Sequence, residues 1–211
     1  QNGKLWVKSN RINRRDSLWE YDPVSAEFTK EIYGHDKYDI DGVVYAQDRR
    51  TPIGVRYTAH YDEIHYFNTK EQNLSKTVAA SFKNYHVSIA SMSKDSKQLL
   101  IHAENDNSPS KYFWLDLANR AGGFWFSRYP YLEGKTLAKK QPFTFKASDG
   151  MELHGYLTMP TKLASGKKPP LIVHPHGGPI GPRDDQSFDY MTQFLAAQGY
   201  AVLQPNFRGS G

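Results

Sequence analysis

Up to about residue 130, short runs of alternating apolar and polar residues fill the chain, each bounded by Asp, Asn, Ser, Pro or Gly. Lys4 to Lys8, Ser17 to Tyr21, Gly42 to Ala46, Gly54 to Ala59 and Glu63 to Phe67 have this form. Val87 to Ala90, Gln98 to Ala103, Lys111 to Leu115 and Gly123 to Arg128 continue it. A period of two sends successive side chains to opposite faces, so the pattern predicts strands. A helical stripe is suggested only at Leu74 to Lys83. Strands at this density without helices predict a sandwich, a barrel or a propeller.

A repeat chooses among these. Leu18 to Asp22, Ile64 to Asn68 and Tyr112 to Asp116 are each an aromatic-rich strand ending in Asp or Asn. After a turn, the return strands expected are Glu27 to Thr29, Ser75 to Val78 and Phe124 to Phe126. Asp or Asn at this place can close an Asx-type turn. The three copies are 46 and 48 residues apart. Ser88 to Ile101, a strand, a polar turn and a strand, completes a four-stranded unit ahead of the third copy. Such periods belong to propeller blades, with an all-β sandwich of accidental spacing as the alternative. Closed propellers use about four to eight blades, so further blades are expected before Gln1 in a longer protein. Open terminal blades would carry exposed strand edges, which leave room for a homo-oligomer.

From about Lys140 the grammar changes. Phe143, Phe145 and Ala147 alternate with polar residues, Asp149-Gly150 predicts a turn, and Met151 to Thr158 runs back. A polar, basic loop from Pro160 to Pro170 contains Ser165-Gly166. Leu171-Ile172-Val173 then has the unbroken apolar character of a buried parallel strand. After a glycine-rich loop, Phe188, Met191, Phe194 and Leu195 share one helical face, and Gly199 is a natural stop. Tyr200 to Leu203 begins another strand, expected to end at Pro205. The order hairpin, strand, glycine loop, helix, strand is α/β, and a right-handed crossover sets the last two strands side by side.

Composition narrows the function classes. Aromatic residues make up 14% of the 211, which suits pleated sheet and excludes a disordered chain. The net charge of +5 is scattered over small clusters such as Arg11, Arg14 and Arg15, or Lys139 and Lys140, read as solvated surface. No dense basic stripe or nucleic-acid motif accompanies them, so no nucleic-acid partner is expected. The chain has no cysteine, which removes disulfide and thiolate chemistry. No run reaches the roughly 18 apolar residues of a membrane span. The compartment stays open between cytoplasm and periplasm, and any targeting signal is expected upstream of Gln1.

The segment that carries chemistry is Leu171 to Pro179, where His174-Pro175-His176-Gly177-Gly178-Pro179 follows the buried strand. Glycines here open the backbone N–H groups to close approach. In α/β-hydrolases the loop after this strand gives one oxyanion donor, and the residue after the nucleophile gives the second. His174 and His176 alone make a poor metal pair, with Pro175 between them and no third ligand cluster in view.

At this point the chain resembles the prolyl oligopeptidase family of serine peptidases, in the branch of acylaminoacyl and dipeptidyl-peptidase-like enzymes. Asp149 to Leu157 resembles the family's opening hairpin, and His176 to Pro179 its oxyanion loop. Gln198 to Leu203 resembles the helix end and strand that follow, and Asn206 to Gly211 its Asn-x-Arg-Gly-Ser-Gly loop. The likeness covers about residues 141 to 211, and the family also carries a propeller before its hydrolase domain.

The resemblance implies a fold of partial β-propeller blades over 1 to 135. The N-terminal part of an α/β-hydrolase domain then follows over 136 to 211. It implies that Gly178 is the backbone oxyanion donor and Gly177 shapes the turn. His176 stands where other branches place a tyrosine, and Arg208 ties the loop near the active site. Ser210 belongs to the supporting loop. No serine has glycine two before and two after it, so no member of the Ser-Asp-His triad is expected within the chain. The function implied is hydrolysis of short peptides by a longer protein, with no cofactor, and with this chain inactive alone. The alternative is a non-catalytic propeller module that binds partners.

Overall fold

The computed structural model describes residues 3–163, 168–178 and 180–211. Ser165-Gly166 and Pro179 therefore lie outside the described residues. Two compact units make up the chain, one ending at Gln72 and one spanning Asn73–Ser210.

The first unit holds two three-stranded antiparallel sheets. One is β1 (Leu5–Ser9), β2 (Ser17–Asp22) and β3 (Glu27–Tyr33), and the other is β4 (Ile40–Tyr45), β5 (Pro52–Thr58) and β6 (Asp62–Tyr66). Alternation sends Leu18, Ile40 and Val55 inward, where Ile32, Tyr33, Val43 and Phe67 pack around them. Complete burial of a side chain such as Val55 contributes about 2 kcal/mol. The predicted Asx turn forms at Asp22, whose Oδ1 accepts from the Val24 amide at 2.8 Å.

Asn68 behaves differently. Its Oδ1 accepts from the amides of Lys70 and Glu71 at 3.1 and 3.3 Å, so it caps the N-terminus of α1 (Thr69–Ser81). The expected return strand Ser75 to Val78 is helix instead. Leu74 and Val78 lie one turn apart and bury toward the next sheet, which outweighs the repeat. Asn68→Ala is expected to lower stability by about 1 kcal/mol, read by urea denaturation.

The second unit begins with a four-stranded antiparallel meander. It comprises β7 (His86–Met92), β8 (Gln98–Asn105), β9 (Ser108–Asp116) and β10 (Ala121–Ser127). Its inward face joins Leu99 and Ile101 to Val78, with Phe82, Phe113 and Leu115 around them. Asp116 closes its turn as predicted, accepting from the Ala118 and Asn119 amides at 3.0 Å.

A mixed sheet of order β11-β12-β14-β13 follows. β11 (Lys140–Lys146) and β12 (Glu152–Thr158) form the hairpin, turning at Gly150, whose φ is +85°. β13 (Leu171–Val173) lies parallel to β14 (Ala201–Asn206), the arrangement the crossover requires. Gly155 is demanded by close approach, because a Cβ there would stand 2.7 Å from the Gln204 carbonyl oxygen.

β14 does not stop at Pro205, which pairs with Gly155. The Ala201 amide donates to Pro170 O and the His174 amide to Leu203 O, so odd positions of β14 face β13. Pro205 continues that side beyond the end of β13, where its missing N–H removes no ladder bond.

Helix α2 (Tyr190–Ala197) links β13 to β14. Asp189 caps it through the Thr192 amide at 2.9 Å. Gly199, with φ +94°, ends it: the Gly199 and Tyr200 amides return to the carbonyls of Ala196 and Leu195. The apolar face read in the sequence is the outer one, with Met191 and Phe194 exposed. Thr192, Gln193 and Ala196 are the buried positions.

Gln193 explains this choice. Its Oε1 accepts from the Ala138 amide at 2.9 Å, and its Nε2 donates to Ala138 O at 2.7 Å and Asp106 O at 3.0 Å. One side chain thus ties the β8–β9 turn, the segment before β11 and α2 together.

Lys140 departs from the solvated reading of its cluster. It is 4% exposed, and its Nζ donates to the carbonyls of Asp185 and Ser187, both at 2.9 Å. Burial pushes its pKa down, against the pull of Asp185, Asp189, Asp184 and Asp106. Scattered charge along a sequence carries no mark of which lysine is buried.

Candidate active-site loops

Two loops meet at the C-terminal ends of β13 and β14: residues 174–184, apart from Pro179, and residues 206–210. The strand geometry dictates the meeting, because β13 and β14 are parallel neighbours and both chains leave the sheet at the same edge.

Several bonds hold the loops together. The buried Asn206 side chain brackets one residue of the first loop, with its Oδ1 accepting from the Asp184 amide at 2.8 Å and its Nδ2 donating to Asp184 O at 2.9 Å. Gln204 Nε2 donates to the Asp184 carboxylate at 3.0 Å. Burial pushes the Asp184 pKa up, opposed by His176 and Lys140. Further out, the Gly181 amide donates to Gly209 O at 3.0 Å, and Gly181 and Ser210 form a parallel bridge.

His176 is half-buried between the two. Its ring stacks on Phe207 at 4.3 Å, with 24° between the planes. Nδ1 lies 2.6 Å from Gly177 O, and Nε2 lies 2.8 Å from Ser210 Oγ. Gly177 and Gly178 are exposed, and among the described residues no acceptor meets their amides. A Cβ on Gly177 would find nothing within 4 Å, while one on Gly178 would reach the Phe207 ring at 3.4 Å. The arrangement can receive an anionic oxygen on backbone N–H groups.

Arg208 points toward the hairpin turn, where its Nη2 donates to Asp149 Oδ2 at 2.6 Å. The guanidinium beside it, joined by the Met151 amide, holds the Asp149 carboxyl below its ordinary value of 3.8. A depressed carboxylate pKa adds stability above the ordinary value, and that stability is lost as pH falls through the folded pKa. Arg208→Ala is expected to raise the Asp149 titration toward the ordinary carboxylate range, with the Met151 amide still holding it below, measured by NMR.

All four residues singled out in the sequence, His176, Gly177, Gly178 and Arg208, therefore lie in or beside these paired loops. What sequence reasoning missed is Phe207 and Ser210 as partners of His176, and Asn206 as the bracket. No local pattern signals contacts between residues more than twenty positions apart. His174 and His176 are joined by no third metal-ligating residue among the described residues. Among the described residues no helix is long and apolar enough to cross a membrane.

No protein-family model matches the chain. Among curated proteins, it is 28% identical to dipeptidyl peptidase family member 6 of Caenorhabditis elegans over 202 residues, which is 86% of this chain and 27% of that protein. It is 35% identical to dipeptidyl aminopeptidase BIII of Pseudoxanthomonas mexicana over 130 residues, 59% of this chain and 19% of that one. The chain thus spans less than a third of the length of these relatives.

Among solved structures, a puromycin-hydrolyzing peptidase of Mycobacterium tuberculosis matches all of this chain and 33% of its own, with a TM-score of 0.66 at 17% identity. At that identity the likeness is one of fold. Acylaminoacyl peptidases and prolyl endopeptidases are among the other solved structures with the same fold. The expected class, propeller blades followed by the opening of an α/β-hydrolase sheet, is the one these neighbours share. In its relatives and its fold, the chain is similar to peptidases of the prolyl oligopeptidase family.

Proposed function

We propose that the full-length protein is a serine peptidase acting on short peptides, and that the Gly178 amide is one donor of its oxyanion hole. The observation that carries this reading is the pair of exposed amides at Gly177 and Gly178, met by no acceptor among the described residues, just past the C-terminal end of β13. Donors aimed at developing negative charge stabilise a tetrahedral intermediate, by on the order of 3 kcal/mol each. The second donor and the Ser-Asp-His triad would follow Gly211 in that chain order. His176 and Arg208 act here as supports, and no residue of the chain is assigned to the triad.

Residues 1–135 then form C-terminal blades of a propeller that restricts access, and residues 136–211 open the peptidase domain. The end of β10 at Ser127 and the start of β11 at Lys140 are consistent with that division. Peptide substrates are supported by the names of the relatives, which are dipeptidyl peptidases and aminopeptidases.

The test is turnover of chromogenic peptide anilides by the purified full-length protein. The reading expects hydrolysis abolished by a serine-directed phosphonate, and none from residues 1–211 alone. Hydrolysis insensitive to the phosphonate, or turnover by the isolated chain, would refute it.

A further inference from the structure

We infer that Ser210 and Phe207 position His176 so that the imidazole aims the Gly178 amide, making Ser210 a positioning residue of the reaction rather than its nucleophile. The inference rests on the oxyanion reading of the loop.

The hydrogen bonds of the imidazole decide its tautomer. A carbonyl oxygen can only accept, so the 2.6 Å contact to Gly177 O requires the proton on Nδ1. In the neutral ring Nε2 is then the acceptor, and the Ser210 hydroxyl donates to it at 2.8 Å. Phe207 supplies the flat support against which the ring stacks.

The Gly177 carbonyl and the Gly178 N–H belong to one planar peptide unit, and in a trans peptide they point in opposite directions. Pinning the carbonyl on His176 therefore turns the N–H the other way. Glycines on both sides of that peptide leave its rotation otherwise weakly restricted. The imidazole supplies a restraint that the local backbone lacks, and Ser210 holds the ring in the orientation that reaches the carbonyl. The Gly181 amide on Gly209 O, together with the bridge from Gly181 to Ser210, fixes the hydroxyl relative to the loop it controls.

A serine hydroxyl on an imidazole also resembles an activated nucleophile, but in that arrangement a third group orients the base. Here the other ring nitrogen is occupied by the carbonyl of the neighbouring residue, which serves the loop.

The test uses the full-length protein with Ser210→Ala, Ser210→Thr, His176→Phe and the Ser210→Ala/His176→Phe double variant. His176→Phe can retain the stack on Phe207 while losing both hydrogen bonds. A displaced rather than absent donor is expected to lower kcat roughly ten- to a hundredfold in Ser210→Ala and His176→Phe. KM should stay within about twofold, because the donor acts chiefly in the transition state. The affinity of a peptide aldehyde, which forms the tetrahedral adduct, should fall by the same factor as kcat/KM. Ser210→Thr, which retains the hydroxyl, should restore kcat. The double variant should be no slower than His176→Phe alone, since Ser210 acts through His176.

An unchanged kcat in Ser210→Ala, a loss confined to KM, or losses that multiply in the double variant would each overturn the inference while leaving the peptidase reading intact. Covalent labelling of Ser210 by a phosphonate would overturn it in favour of a nucleophile. Should Ser210→Ala fail to fold, His176→Phe with an unchanged kcat would still overturn it. Absence of turnover in the unmodified full-length protein would remove both readings.

Discussion

Replacing Gly178 by proline in the full-length protein is expected to lower kcat by a factor of about 100 to 1000, with KM little changed. Proline removes the one N–H assigned to the developing oxyanion, and loss of such a donor costs about 3 kcal/mol of transition-state stabilisation. Gly177→Ala is the matched control. Gly177 has no positive φ, and a Cβ there meets nothing within 4 Å, so the substitution leaves the peptide free to keep its conformation. It should cost less than about threefold in kcat, as expected for a change that removes no donor. Steady-state kinetics on a peptide anilide separate the two variants. Equal losses in both would mean that the loop matters only as a shape.

The largest stability effect is expected at Gln193. Replacing it with leucine keeps the size but removes three hydrogen bonds at once. The buried Ala138 segment then loses partners for both its N–H and its C=O, and Asp106 O loses a donor. A buried polar group left unpaired costs about 1 to 3 kcal/mol. With some relief from water at the half-buried Asp106, the total should be about 3 kcal/mol. For a chain of this size that is a fall in melting temperature on the order of 8 °C. Gln193→Glu should be no better, since a carboxylate cannot donate to the two carbonyls. Thermal denaturation of the chain reads the effect, and an unchanged melting temperature in both variants would refute the role given to the clamp.

The strands were legible because alternation is local: a residue's face follows from its position in the pleat, whatever lies far away. The turns at Asp22 and Asp116 were legible for the same reason. Asn68 shows where locality fails, because its oxygen can close a turn or cap a helix with equal ease. The residues that follow decide, and Leu74 and Val78 prefer the helix that buries them together.

Pro205 shows a second failure. The rule that proline ends a strand holds only where a neighbour needs its amide, and β13 had already ended. The positions of Lys140 and Gln193 were not legible, because burial of a charged or amide side chain depends on carbonyls supplied by remote segments. In the candidate site, the motifs singled out Gly177, Gly178 and Arg208, which lie in the two paired loops. The contacts of His176 with Phe207 and Ser210 emerge only when parallel β13 and β14 bring their ends together.

The most direct test of the account is to treat the full-length protein with a fluorophosphonate and locate the modified residue by mass spectrometry. The account predicts a single labelled serine beyond Gly211, within a Gly-x-Ser-x-Gly elbow, and an unlabelled Ser210. Label on Ser210, or no label on a protein that still cleaves peptides, would contradict it.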